Sequence, residues 1–235
     1  MRTCIITGAG SGIGRATAIR LSKCSEFSNI AMLGRNMEAL QETYDMMDST
    51  GKDISVWSVD FLEPQSVPAI VEAIYEKYGT IDCLLNIAGY TNPQSLLQTS
   101  LENMVMTYNV NVFSPFLLIK ESVRYMKRKG GKILNVASTA GMTPRPGWLS
   151  YSSSKASVIS MSQTLTEELS EYNIKVYCVS PGRCATKLRK QLAPNEDPTT
   201  IMQPDEVADV ILNLISSEEN CLDGQNIVIR KQIKK

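Results

Sequence analysis

Thr7-Gly8-Ala9-Gly10-Ser11-Gly12-Ile13-Gly14-Arg15 follows directly on the apolar run Cys4–Thr7 and opens a helical pattern; the reading of the chain turns on this stretch. Glycines allow a tight turn, bring backbone N–H groups close to a pyrophosphate and let a helix begin close to a sheet. The helix start then presents its partial positive charge to phosphate. Gly8, Ser11, Gly12, Ile13 and Gly14 are therefore candidate contacts for a dinucleotide. A glycine-rich turn alone is a weak signal, since many are only tight turns. Its place between a strand and a helix, at the head of a repeating series, strengthens the dinucleotide reading.

Outward from that turn, short β-branched runs alternate with longer amphipathic ones. Strands are expected at Cys4–Thr7, Asn29–Leu33, Ile54–Val59, Cys83–Asn86, Lys132–Ala137, Lys175–Ser180 and Asn226–Ile229. Helices are expected near 13–24, 36–50, 64–79, 101–128, 152–172 and 204–217; in the last, Val207, Val210, Ile211, Leu214 and Ile215 fall at helical spacing. The strand runs are almost continuously apolar, as in a parallel sheet covered on both faces. The expected fold is a doubly wound, mostly parallel α/β sheet of Rossmann type, with helices on both faces, in a single domain spanning 1–235. A polar segment with Pro194, Pro198 and Pro204 interrupts the rhythm and is read as a functional lid at about 183–203.

The composition removes several functions. Lys plus Arg and Asp plus Glu are 24 each, so charge gives no reason to expect nucleic acid or an anionic membrane as partner. Six scattered cysteines without a CxxC pair read as reduced cytosolic thiols rather than a zinc site, and no metal is expected. No apolar run is long enough to span a bilayer, and the chain enters a strand almost at once, so no signal peptide is expected. Histidine is absent, which excludes Ser-His-Asp and Cys-His systems and imidazole metal ligands. A general acid must be Tyr, Lys, Asp, Glu or Cys.

The second strand should end with the group that reads the adenosine ribose, and here the chain runs Leu33-Gly34-Arg35-Asn36. A carboxylate there would favour NAD(H) and repel a 2′-phosphate, whereas Arg35 offers a fork of donors to phosphate. NADP(H) is thus favoured over NAD(H); the competing reading of Arg35 is a solvated helix-start arginine. Asp60 could accept from the adenine amino group, or act as an N-terminal acid ahead of Pro64.

Downstream, Ser138 ends the fifth strand and Tyr151-Ser152-Ser153-Ser154-Lys155 opens a helix. A Tyr and a Lys four apart share one face, and an ammonium beside a phenol should lower its pKa from near 10. Such a tyrosine can exchange a proton with a substrate oxygen while hydride moves at carbon. Lys155 would also reach the nicotinamide ribose, and Ser138 would hold the substrate oxygen. Tyr125 and Lys129 show the same spacing, and nine tyrosines and fourteen lysines in 235 positions give about half a match by chance. Only Tyr151 has a strand-end serine upstream and lies beyond the carboxyl ends of the strands, where open α/β sheets bind ligands.

Together these residues resemble the short-chain dehydrogenases/reductases across nearly the whole chain. TGxxxGxG appears as Thr7 to Gly14, NNAG as Asn86-Ile87-Ala88-Gly89, the helix asparagine as Asn111, then Ser138, Tyr151 with Lys155, and Pro181-Gly182 followed by Thr186. The resemblance implies that Tyr151 is the acid/base, Lys155 lowers its pKa, Ser138 orients the substrate oxygen and Asn111 holds a water in a proton relay. It places Asn86, Ala88, Gly89, Pro181, Gly182 and Thr186 at the cofactor. A buried Asn111 amide would in any case need backbone or water partners. Ile87 departs from the second asparagine of NNAG, and the Asp223-Gly224-Gln225 ending departs from the common Asp-Gly-Gly, weakening any inference about tetramer contacts by the tail.

The resulting expectation is a cytoplasmic, homodimeric or homotetrameric NADP(H)-dependent oxidoreductase that interconverts a small-molecule carbonyl and a secondary alcohol. A 3-oxoacyl-carrier-protein reductase is one substrate reading, with the basic end Arg124–Lys132 meeting an acidic carrier. A sugar or sugar-nucleotide reductase is the alternative, because the lid is polar. A catalytically silent dinucleotide sensor is a third reading, which the presence of Asn111, Ser138, Tyr151 and Lys155 disfavours.

Overall fold

A computed structural model describes residues 2–231. Among these residues seven strands form: β1 (Thr3–Thr7), β2 (Asn29–Gly34), β3 (Asp53–Ser58), β4 (Cys83–Asn86), β5 (Gly131–Val136), β6 (Ile174–Pro181) and β7 (Asn226–Ile229). They form one sheet in the order β3-β2-β1-β4-β5-β6-β7, and every pairing is parallel. β1 pairs with β2 on one side and β4 on the other. The connections therefore diverge at its carboxyl end and leave a crevice there, which is where such sheets bind ligands.

Eight α-helices accompany the strands among the described residues: α1 (Gly12–Ser22), α2 (Met37–Asp45), α3 (Val67–Tyr78), α4 (Leu101–Tyr108), α5 (Ser114–Met126), α6 (Leu149–Leu169), α7 (Lys187–Leu192) and α8 (Pro204–Ile215). Successive strand residues point to opposite faces, so the apolar runs feed two cores. Cys4, Ile6, Met32 and Leu134 meet Leu21 of α1, Leu40 of α2 and Ile211 of α8 on one face. Ile5, Leu33, Leu84 and Ile133 meet Val71 of α3 and Leu118 of α5 on the other. Local signals set the helix ends. Asn36 accepts from the Ala39 N–H at the start of α2, Gln203 and Glu206 form a reciprocal capping box ahead of Pro204 in α8, and Gly79 closes α3 at φ 71°.

Two segments differ from the sequence reading. The stretch 101–128 is two helices, α4 and α5, joined by a π-helical turn at Asn109–Phe113. Pro115 brings no N–H and cannot continue a regular hydrogen-bond ladder, so the turn widens in front of it. The segment 182–203 is less irregular than expected. It holds α7, whose Thr186 hydroxyl accepts from the Arg189 N–H, and a short 3-10 turn at Pro198–Thr200.

Candidate active site

At the crevice a cavity of about 750 Å³ runs from the glycine turn to the start of α6. Behind the turn, Thr7, the last residue of β1, is buried, and its Oγ1 accepts from the N–H groups of Ile87 at 2.9 Å and Ala88 at 3.0 Å and donates to the Leu85 carbonyl at 3.3 Å. One buried hydroxyl thus joins the glycine turn to the loop after β4. Gly8 (φ 70°) approaches that loop so closely that a Cβ would lie 2.9 Å from Ala88 Cα. At Gly12 (φ 53°) a Cβ would project into the channel between the turn and Thr186, 3.1 Å from its Cγ2. Ser11 caps α1 in extended conformation with no side-chain hydrogen bond, leaving the first helical N–H groups turned to the cavity. Arg15 braces the turn from behind, donating to the Gly10 carbonyl at 2.7 Å and to Thr43 Oγ1 at 3.0 Å.

At the far end, Arg35 follows β2, exposed and lining the cavity, with no side-chain partner among the described residues. Asp60 also lines it; one carboxylate oxygen accepts from the Leu62 N–H at 3.0 Å, so the residue stabilises its own turn and keeps the other oxygen available.

The reactive end lies past β5. Gly141 lets the turn after Ser138 rest on α6 at the level of the Lys155 backbone, where a Cβ would stand 2.7 Å from the Lys155 carbonyl carbon. That contact sets the spacing between Ser138, Tyr151 and Lys155, all of which line the cavity. Tyr151 is 6% exposed, and burial pushes its phenol above the usual value, against the opposing pull of the Ser138 hydroxyl and the Arg189 guanidinium. Lys155 is buried, its Nζ donates to the Val136 carbonyl at 2.8 Å and stands 5.9 Å from the Tyr151 ring centroid, and desolvation lowers its pKa from 10.5 to about 8. Burial thus raises the phenol, and the groups that pull it down in this structure are the Ser138 hydroxyl and the Arg189 guanidinium. Gly89 borders the cavity beside the amine, where a Cβ would lie in ordinary contact 3.7 Å from Lys155 Nζ.

Two predicted residues stand outside the cavity wall. Asn86 is buried at the end of β4, where its Nδ2 donates to Asn135 Oδ1 at 2.8 Å. Its side chain joins strands rather than lining the cofactor groove. Asn111, in the π turn, also lies behind the wall. Its Oδ1 accepts from the Tyr90 N–H at 2.8 Å while Nδ2 donates to the Tyr90 carbonyl at 3.0 Å and Ser154 Oγ at 2.9 Å. The other predicted residues, Gly8, Ser11 to Gly14, Ala88, Pro181, Gly182 and Thr186 among them, border the cavity.

Several wall residues carry no motif. Trp148 packs edge-on to Tyr151 with centroids 6.4 Å apart, and Arg189 stands 5.8 Å over the Trp148 ring. Glu196 binds Arg189 through both Nε and Nη2, at 2.6 and 2.8 Å, and Arg183 at 3.2 Å; these guanidiniums hold its carboxyl below the usual range. Leu188 and Leu192 of α7 face the cavity, so the segment taken as a polar lid offers it an apolar side. Arg145 completes the mouth. A signal for Trp148 existed in its place three residues before Tyr151; nothing local marks Arg189, which arrives from another strand connection.

A nicotinamide dinucleotide fits these residues. The turn leaves helical N–H groups and a side-chain-free channel for phosphates, and the opposite end brings a hydroxyl, a phenol and an amine to one wall. The profile of the family described as short chain dehydrogenase matches residues 2–197. A 3-oxoacyl-(acyl-carrier-protein) reductase, FabG, of Thermotoga maritima is 32% identical over 237 residues, covering 97% of this chain and 96% of that protein. Among solved structures, a short chain dehydrogenase from Burkholderia cenocepacia in complex with NADP superposes with a TM-score of 0.87 at 26% identity, covering 96% of this chain and 95% of that one. An NAD+-bound xylitol dehydrogenase superposes with a TM-score of 0.86 at 27% identity, covering 97% of both chains. The chain belongs to the short-chain dehydrogenase/reductase family and is an NAD(P)-dependent oxidoreductase.

Proposed function

We propose that the protein is an NADP(H)-preferring reductase that converts a small-molecule carbonyl to a secondary alcohol, with Tyr151 as the acid. The observation that carries this reading is the convergence of Ser138, Tyr151 and Lys155 on one cavity with the glycine turn. When bound, the reduced nicotinamide supplies the hydride received by the carbonyl carbon. Ser138 orients the carbonyl oxygen by hydrogen bond, and Tyr151 gives that oxygen its proton, a role general acids fill with about 10²- to 10⁴-fold effect. Burial keeps the phenol protonated until the proton is needed. Lys155, with a pKa near 8, exchanges protons readily and returns one toward the phenolate. The Asn111 side chain is fully engaged, so a relay water at this residue would have to be held by its main-chain carbonyl, to which Pro115, lacking an N–H, cannot donate.

Arg35 without a carboxylate at position 34 supports NADP(H) over NAD(H). The FabG relatives make a 3-oxoacyl thioester the first substrate to assay, and Leu188 and Leu192 in the wall agree with an acyl chain. The basic end that could meet a carrier is smaller than its sequence suggests. Lys132 turns inward to the carbonyls of Leu214, Ser216 and Glu219, and Arg124 pairs with Glu121. The xylitol dehydrogenase likeness favours the sugar alternative. Exposed Leu97, Leu101 and Phe116 support a homo-oligomer, and reduced thiols support a cytoplasmic setting; no helix of the described residues is long and apolar enough to cross a membrane. Oxidation of NADPH by acetoacetyl thioester and by keto-sugars, for the protein and for Tyr151→Phe, tests the reading. The variant should keep NADPH binding and lose at least about a hundredfold in kcat. Undiminished turnover would remove Tyr151 from the mechanism.

A further inference from the structure

The substrate half of the cavity is cationic beyond what a dinucleotide needs. Arg145, Arg183, Lys187 and Arg189 line it in addition to Lys155, while among the described residues the one carboxylate in the wall is Asp60. Asp60 follows β3, four strand positions from β5 and so about 19 Å away across the sheet. Glu196, behind the wall, is shared between Arg183 and Arg189. Arg145 has no side-chain partner among the described residues.

The cofactor phosphates do not account for Arg145. Their cradle follows β1 and Arg35 follows β2, whereas Arg145 sits in the connection after β5, so the strand ends these groups follow lie about 10 and 14 Å from the end of β5. Arg145 instead stands in the same loop as Trp148, whose backbone is bridged to Gln94 and whose ring lies edge-on to Tyr151. A flat apolar wall with a free guanidinium at its rim, beside the proton donor, suits a compact molecule with one anionic end. A guanidinium fork matches a carboxylate in two parallel hydrogen bonds.

We propose that this half of the cleft takes a small oxo- or hydroxy-acid, its carboxylate paired with Arg145 while its reacting carbon faces Ser138 and Tyr151. The inference rests on the reductase reading above and narrows its substrate class. In the reducing direction the C=O bond becomes CH–OH: carbon receives the hydride with its electron pair, oxygen receives the Tyr151 proton, the nicotinamide leaves oxidised, and the carboxylate is unchanged.

Matched ketones of equal shape and different charge test it: 3-oxocyclohexanecarboxylate against 3-oxocyclohexanecarboxamide, followed by NADPH oxidation and by quenching of Trp148 fluorescence in a Trp57→Phe background. The acid should exceed the amide about tenfold or more in kcat/KM, chiefly through KM, and should quench at correspondingly lower concentration. Arg145→Gln, at an exposed loop position, should bring both ratios toward one, and Arg145→Lys should retain part of the preference. Equal kcat/KM and equal quenching by acid and amide, a preference that survives Arg145→Gln, or a clear preference for acetoacetyl-pantetheine over the acid would each overturn the anion site. Arg145-dependent quenching by the acid without turnover of any ketone would instead keep the anion site and defeat the reductase reading.

Discussion

Lys155→Met should make the protein more stable and inactive at once. The Lys155 ammonium is buried against the Val136 carbonyl, and desolvation takes its pKa from 10.5 to about 8. That drop corresponds to about 3 kcal/mol against holding the charged form in the fold. At pH 7 the amine is protonated folded and unfolded, so the folded protein carries this cost in full. Methionine keeps the length of the stem, removes the charge and loses one hydrogen bond of about 1 kcal/mol, leaving a net gain of about 2 kcal/mol. The pH sign is fixed. Between about 8 and 10.5 the unfolded state binds more protons at this site than the folded state, so wild-type stability rises with pH there. The advantage of Lys155→Met should therefore be full below pH 8 and shrink by most of about 3 kcal/mol as pH approaches 10.5. Urea unfolding of both proteins without dinucleotide, at pH 7 and near pH 10, measures the difference and cancels every other titrating group. A variant less stable than wild type at pH 7, or a gap that does not change with pH, would refute the assignment of burial as the dominant effect on this amine.

Arg35→Ser should weaken NADPH binding about tenfold or more while changing NADH binding little, read from cofactor fluorescence titrations; tighter binding of NADH than NADPH by the wild-type protein would contradict the assigned preference. Thr7→Val preserves shape but leaves the Ile87 and Ala88 N–H groups without their acceptor, so it should lower unfolding free energy by roughly 2–4 kcal/mol in urea denaturation and weaken NADPH binding; an unchanged midpoint would show that the two loops are held by other contacts. Gly12→Val should block cofactor binding, because its side chain would enter the channel beside Thr186 and its φ of 53° strains a β-branched residue; circular dichroism separates loss of the site from loss of the fold, and normal NADPH affinity would place the phosphates elsewhere.

The sheet was legible because its strands announce themselves. Runs such as Ile5-Ile6 and Leu84-Leu85 are buried on both faces, and strict alternation with helices leaves few topologies. The expected phosphate cradle rests on equally local features, since it depends on backbone freedom and a helix start only a few residues long. Tyr151 and Lys155 were visible because one helical turn joins them. The break at Asn109–Phe113 was hidden inside an unbroken amphipathic pattern, with Pro115 its one mark.

What the sequence by itself determined is the set of groups: a histidine-free chain with a serine just past the fifth strand, one well-placed tyrosine–lysine pair and an arginine where an acid would select NAD(H). Tertiary structure alone decided their state. The phenol is raised and the amine lowered because packing removes water from both, and no spacing along the chain encodes desolvation. Likewise Arg145, Trp148 and Arg189 become one wall only because β5 and β6 are neighbours in the sheet, while Asn86 turns toward Asn135 because β4 lies beside β5. Which residues share a site is set by strand order, and strand order is a property of the folded sheet.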